Sequence, residues 1–314
     1  MALADYPRPP HDNGRGIHWI PTGGQDPAVV DRFVAACQHM HLHWVTFLAD
    51  PGEPSPAGDQ LVTKLRAAGI EPVMRYYTPP GHPLDPAATA ATTAHYVALG
   101  CHYFQPYNEP NLNAEVAPGD HPDPERFAAA WIPAAEAIAR GGGLPAVTPM
   151  APGGDYDDMR FLDGFFDALA RRGKLDLLDH AWMSLHNYTF NHPLDYHEDG
   201  NGFRKYEDLD ALVRRHLGRS LPVIGTEGGT LVGAHDDERF PAVDATSQSA
   251  MTVEAYRRMA DAPPYFFAYS PWILANAAGG GQDRAFEGAA WFKADGSHLP
   301  VADAVAAMPE APRA

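Results

Sequence analysis

Two short acidic motifs carry most of the chemistry open to this 314-residue chain. Asn108-Glu109-Pro110-Asn111 and Thr226-Glu227-Gly228-Gly229 each place a carboxyl directly after a run of apolar residues. Two carboxyls held face to face can divide the work of bond cleavage. One gives a proton to a departing oxygen, while the other meets positive charge developing at carbon, as cleavage of a glycosidic bond requires. A lone Glu after a strand is ordinarily a solvated loop residue. Here there are two, with His186 and Tyr188 between them in sequence and Trp272 beyond. That combination favours a catalytic pair.

The pair needs a scaffold that brings residues 109 and 227 together. Eight short runs, rich in β-branched or aromatic residues, read as strands: 16–20, 43–48, 72–77, 103–107, 146–150, 181–185, 222–226 and 265–269. Helical stretches separate them at 28–40, 60–68, 87–99, 125–140, 158–172, 207–217 and 247–260, and another follows at 302–307. Asp26-Pro27, Asp85-Pro86 and Asp123-Pro124 are start signals. The Asp side chain accepts from free N–H groups of the first turn, and Pro has none to satisfy. Pro133 should disturb the helix over 125–140. Alternating strands and helices imply a parallel sheet covered by helices. No G-x-G-x-x-G or G-x-x-x-x-G-K follows any strand, which argues against an open nucleotide-binding sheet. The expected fold is therefore α/β, a single (β/α)8 TIM barrel over residues 1–314, with loose termini at about 1–13 and 309–314.

Composition narrows the partners. Lys plus Arg is 23 and Asp plus Glu is 40, a net charge of −17 that would repel phosphate backbones and acidic membrane surfaces. Neither nucleic acid nor membrane is expected as a partner. No 18-residue apolar run is present. Residues 1–10 lack an apolar core followed by a cleavage site, so localisation stays open between the cytoplasm and secretion with the leader removed. Cys37 and Cys101 fit no metal spacing and read as buried thiols.

A barrel concentrates function at the C-terminal ends of its strands. Besides the two Glu, this places Arg75 and Tyr77 at the end of the third strand, His18 and Trp19 near the end of the first, His186 and Tyr188 on the sixth, and Trp272 after the eighth. Aromatic rings there can stack on sugar C–H faces, although core packing accounts for any single ring as well. Trp44, Trp131 and Trp182 read as barrel packing. His186 is placed to bond substrate or a catalytic Glu, or to pack behind them. Gly228 and Gly229 would let a sugar approach the backbone.

These motifs resemble the clan A glycoside hydrolases, retaining enzymes on (β/α)8 barrels, and most closely cellulase-like and xylosidase-like members. The strongest match is Gln105-Pro106-Tyr107-Asn108-Glu109-Pro110-Asn111, and the resemblance runs from Gly16 to about Trp272. It implies that Glu109 is the acid/base and Glu227 the nucleophile. It further implies that Asn108 bonds the sugar 2-hydroxyl, Tyr188 orients the nucleophile and Trp272 forms the sugar platform. Many clan members carry an Arg at the end of strand two; here the nearest is Arg75 on strand three. The implied reaction is hydrolysis of a β-linked oligo- or polysaccharide by double displacement, with no cofactor. The carboxyls should stand about 5–5.5 Å apart. At that separation one pKa should rise, leaving Glu109 protonated and Glu227 charged at rest. A non-catalytic carbohydrate-binding barrel and a transglycosylase using the same residues are the alternatives.

Sixteen His residues raise a metal reading. The densest cluster, His39, His41 and His43, precedes a strand and belongs to the opposite face of a barrel, so no catalytic metal is expected. The loop over 189–202 is long, aromatic and polar. It reads as a solvated lid rather than a cation site built from Asp195, His197, Glu198 and Asp199.

Overall fold

The computed structural model describes residues 1–20, 26–198, 200–276, 288–293, 295–310 and 312–313. Eight parallel strands form one sheet in sequential order: β1 (Gly16–His18), β2 (Trp44–Ala49), β3 (Glu71–Tyr76), β4 (Tyr103–Gln105), β5 (Leu144–Val147), β6 (Trp182–Tyr188), β7 (Val223–Gly229) and β8 (Phe266–Tyr269). Arg15 bridges Tyr269 in parallel. The Tyr269 N–H donates to Gly14 and the His18 N–H to Pro271, each at 3.0 Å, joining the first strand to the last. This is the TIM barrel expected from the alternation.

The helices are α1 (Pro27–His39), α2 (Pro56–Ala67), α3 (Pro86–Ala98), α4 (Pro124–Arg140), α5 (Asp158–Arg171), α6 (Lys205–Leu217), α7 (Ala245–Arg258) and α8 (Pro300–Ala306). Asp26, Asp85 and Asp123 cap α1, α3 and α4 as expected, accepting from N–H groups of the first turn. The start of α2 lies four residues earlier than the sequence suggests, because Ser55 and Pro56 form the same kind of cap, with Gly58 N–H donating to Ser55. Pro133 does not break α4. The helix gives up one backbone bond there, while Trp131, Ala134 and Ala135 keep its inner face buried.

The barrel interior is layered. Trp44, Val73, Tyr103, Ala146, Trp182, Ile224 and Ala268 form an apolar floor. Above it Ser184 donates to Gln105 and lies 2.7 Å from the Thr226 hydroxyl, a buried polar layer. Trp131 packs outside, donating to the Ala146 carbonyl. Described residues of both terminal stretches make contacts with the barrel. Tyr6 joins the floor from below and donates to Ala181. Arg313 donates to the carbonyls of Phe266 and Ala262. Burying an aromatic ring outweighs the entropy of a free tail. Among the described residues no helix is long and apolar enough to cross a membrane.

Candidate active site

Sequence position alone does not aim a side chain into the barrel mouth; register does. On β6, Trp182 and Ser184 point inward, and the two-residue period carries His186 and Tyr188 inward as well. On β7 the pairing shifts: Leu185 faces Gly225 but His186 faces Glu227, so Thr226 is an extra residue. A bulge of this kind turns two consecutive side chains to one face. Thr226 thus reaches the buried polar layer while Glu227 enters the mouth above it.

Glu109 is aimed by strain. Tyr107 (φ 58°) and Glu109 (φ 37°) both lie in the left-handed region, which costs on the order of 1–3 kcal/mol at each non-glycine position. The surroundings hold them there. Glu109 N–H donates to Pro149, Leu112 N–H donates to Glu109, and Thr148 donates to Pro106. Asn111 ties the same loop to the one after β5 through the Ala151 and Tyr156 carbonyls.

The two carboxyls converge. One oxygen of Glu109, one of Glu227 and one ring nitrogen of His186 all lie within 4.8 Å of each other. Arg75 donates to Glu227 Oε1 at 2.5 Å, and the Tyr188 hydroxyl donates to Oε2 at 2.8 Å. The His186 ring spans the pair, with Nδ1 2.7 Å from Glu109 Oε1 and Nε2 3.6 Å from Glu227 Oε1. His18 Nε2 stands 4.0 Å from Glu227 Oε1. Its ring packs against Trp272 at 4.3 Å between centroids. Asn108 Nδ2 lies 3.4 Å from Glu109 Oε2 and 3.1 Å from Glu115 Oε1.

Charge states follow from this geometry. Burial raises the Glu109 pKa, but the His186 ring, Arg75 and the Asn108 amide together outweigh it, holding the carboxyl below its ordinary value. The expectation of a protonated resting Glu109 is therefore corrected. That expectation counted the second carboxylate and omitted the donors that compensate it. His18 is pushed down to about 3 by burial, with Arg75 and His186 adding to the effect against Glu227, so it is neutral through the physiological range. Replacing His186 with Phe removes a lowering influence and leaves burial in place. The Glu109 pKa then rises, and the basic limb of the pH–rate profile, where a general acid loses its proton, moves to higher pH. A profile of kcat against pH for the variant and parent checks this; an unmoved or acid-shifted limb contradicts it.

Of the residues singled out from sequence, Glu109, Glu227, Asn108, His186, Tyr188, Trp272, Arg75 and His18 meet around this mouth. Tyr77 stands at the edge, 57% exposed, lining a cavity with Arg75 and Asn108. Trp19 is a correction. It follows inward-facing His18, so it points outward, fully buried edge-to-face against Phe33 of α1. The reading of Gly228 also changes. A Cβ there would meet Asn187 Oδ1 at 2.7 Å and the Asn187 carbonyl at 3.0 Å, so a neighbouring strand, not a sugar, requires the glycine. Glu115 was not singled out. It lies six residues past Glu109 in the same connection, and only the folding back of a short 3-10 turn, Asn113–Glu115, brings it to Asn108.

The loop over 189–202 is pinned to the connection after β7. Asn191 accepts from Asp236 and Asp237 N–H groups and donates to the Asp237 carbonyl. His192 stacks on Tyr196 at 3.8 Å. Asp195 pairs with Arg258 and Glu198 with Arg239, so these acids are matched by arginines. Asp199 lies outside the described residues.

No family model and no curated protein matches the chain. Solved structures share its fold. A family 39 glycoside hydrolase from the gut symbiont Bacteroides cellulosilyticus WH2 superposes with a TM-score of 0.60 at 14% identity over 96% of this chain and 64% of its own. A glycoside hydrolase family 128 (subgroup II) endo-β-1,3-glucanase from Sorangium cellulosum gives 0.56 at 20% identity, covering 93% of this chain and 98% of the other. A β-glucuronidase from Bifidobacterium dentium gives 0.56 at 14% identity over 96% of this chain and 47% of its own. The chain thus spans less than two thirds of the first and third of these proteins.

Proposed function

We propose that the protein is a retaining glycoside hydrolase that cleaves a β-linked oligo- or polysaccharide through a glycosyl-enzyme intermediate. The observation that carries this reading is that one oxygen of Glu109 and one of Glu227 lie within 4.8 Å of each other, with Arg75 and Tyr188 bonded to Glu227 and His186 bonded to Glu109. A retaining pair needs carboxyls about 5–5.5 Å apart, whereas an inverting pair leaves room for a water at about 6.5–9.5 Å.

In this reading Glu227, oriented by Arg75 and Tyr188, attacks the anomeric carbon. The bond to the departing oxygen breaks as Glu109 supplies its proton. In the resting site Glu109 is hydrogen-bonded to His186 at 2.7 Å. A sugar seated in the mouth excludes water, and this strengthens the one contribution that raises the Glu109 pKa. Once Glu227 becomes an ester it no longer neutralises Arg75. The free guanidinium charge then bears on Glu109 and lowers its pKa, which suits its second task of deprotonating the incoming water. That water displaces the sugar from Glu227, and the anomeric configuration is restored. Trp272, its ring against His18, serves as the sugar platform, and the 189–202 loop as a lid over the leaving-group side. Following the first product of a β-glycan by proton NMR tests the assignment. The β-anomer must appear first and mutarotate later; initial release of the α-anomer rules out the retaining mechanism.

A further inference from the structure

The site holds a third carboxylate that the two-acid scheme leaves idle. Glu115 forms part of the wall between two cavities on the β3–β4 side of the mouth. The inner one is also lined by Arg75 and Asn108, the direct partners of Glu227 and Glu109, so it opens against the point of cleavage. Asn108 holds Glu115 Oε1 at 3.1 Å. Among the described residues Oε2 has no hydrogen-bond or ion-pair partner. The arginines that line these cavities are already committed: Arg75 to Glu227 and Arg126 to Asp120. Buried polar atoms nearby await a partner as well: Asn108 Oδ1, Arg75 Nε and the Nε2 of fully buried His186.

We propose that Glu115 sets the charge selectivity of the sugar subsite beside the cleavage point, admitting neutral or amine-bearing units and rejecting uronic acids. This deepens the glycosidase reading and rests on it. Hydroxyl and amine groups donate to the free Oε2. A uronate would bring a negative charge beside Glu115, and the guanidinium charge of Arg75 on the inner cavity is already balanced by Glu227, whatever its free Nε could still donate. Burial raises the Glu115 pKa first, and the nearby Glu109 and Glu227 charges raise it further, against Asn108 and Arg75.

The test uses isofagomine and uronic isofagomine, which share the ring amine and differ by a carboxylate. Calorimetric titration gives the ratio of their Kd values for the parent, Glu115→Gln and Glu115→Asp. Because both ligands carry the amine, the ratio isolates the effect on the carboxylate. The parent should bind isofagomine about tenfold more tightly or better, the scale of one charge contact in a partly solvated site. Glu115→Gln should collapse most of that ratio, and Glu115→Asp should keep it. An unchanged ratio in Glu115→Gln, or a parent that prefers the uronic ligand, overturns the proposal and leaves the glycosidase reading standing. Failure of the parent to bind either ligand overturns both.

Discussion

Glu227→Gln lowers kcat by about 10⁵-fold, the order of magnitude seen when a covalent nucleophile is removed. The amide keeps the shape of the carboxyl, its oxygen can still accept from Arg75 and its NH2 can donate to the Tyr188 hydroxyl, so the fold and its melting temperature should change little. It cannot form the ester. The parent, treated with a 2-fluoro glycoside that forms the intermediate quickly and hydrolyses it slowly, should gain the mass of one glycosyl unit. That mass should map to the peptide carrying Glu227. A label on any other residue, or a variant retaining more than a few per cent of turnover, removes Glu227 from the proposed role.

Glu109→Ala has the second largest effect, and its size depends on the leaving group. Removing a general acid costs about 10²–10⁴-fold. The loss should be greatest for a sugar alcohol leaving group, which cannot depart without a proton. It should shrink for an aryl group such as dinitrophenol, which can. With the aryl substrate, hydrolysis of the intermediate limits the rate, because no base remains for water. Added azide needs no base, and should restore turnover with formation of a β-glycosyl azide. The azide fits the space left by the carboxyl beside His186. Equal losses for both leaving groups, or no acceleration by azide, would falsify the acid/base assignment.

Much of this arrangement can be read in the chain before any coordinates. Asp26, Asp85 and Asp123 mark helix starts because the chemistry of an N-cap is local, and each does cap a helix. The eight strand runs are local in the same sense, and their order in the sheet follows from short right-handed connections. Glu109 and Glu227 are visible because a barrel places strand ends at one face. The misread features depend on register or on distant neighbours. Trp19 sits one residue beyond an inward-facing histidine, and a three-residue strand gives no pattern from which to assign its face. The close approach of Asn187 to Gly228 arises from the β6–β7 pairing. The charge of Glu109 depends on His186, 77 positions away. Glu115 reaches the site only through the turn that precedes α4, and nothing in its residue type announces that turn.

The hydroxyl and amide stratum formed by Gln105, Ser184 and Thr226 separates the aromatic base of the barrel from its ionised rim. Durability and reactivity are thereby housed on different storeys. Alterations around Tyr6, Trp44 and Trp182 can toughen the molecule against heat while the acids above stay in alignment. A change within the dividing stratum is felt on both sides at once, since Ser184 follows Trp182 of the base two residues along one strand, and Thr226, in contact with Ser184, adjoins Glu227 along the next.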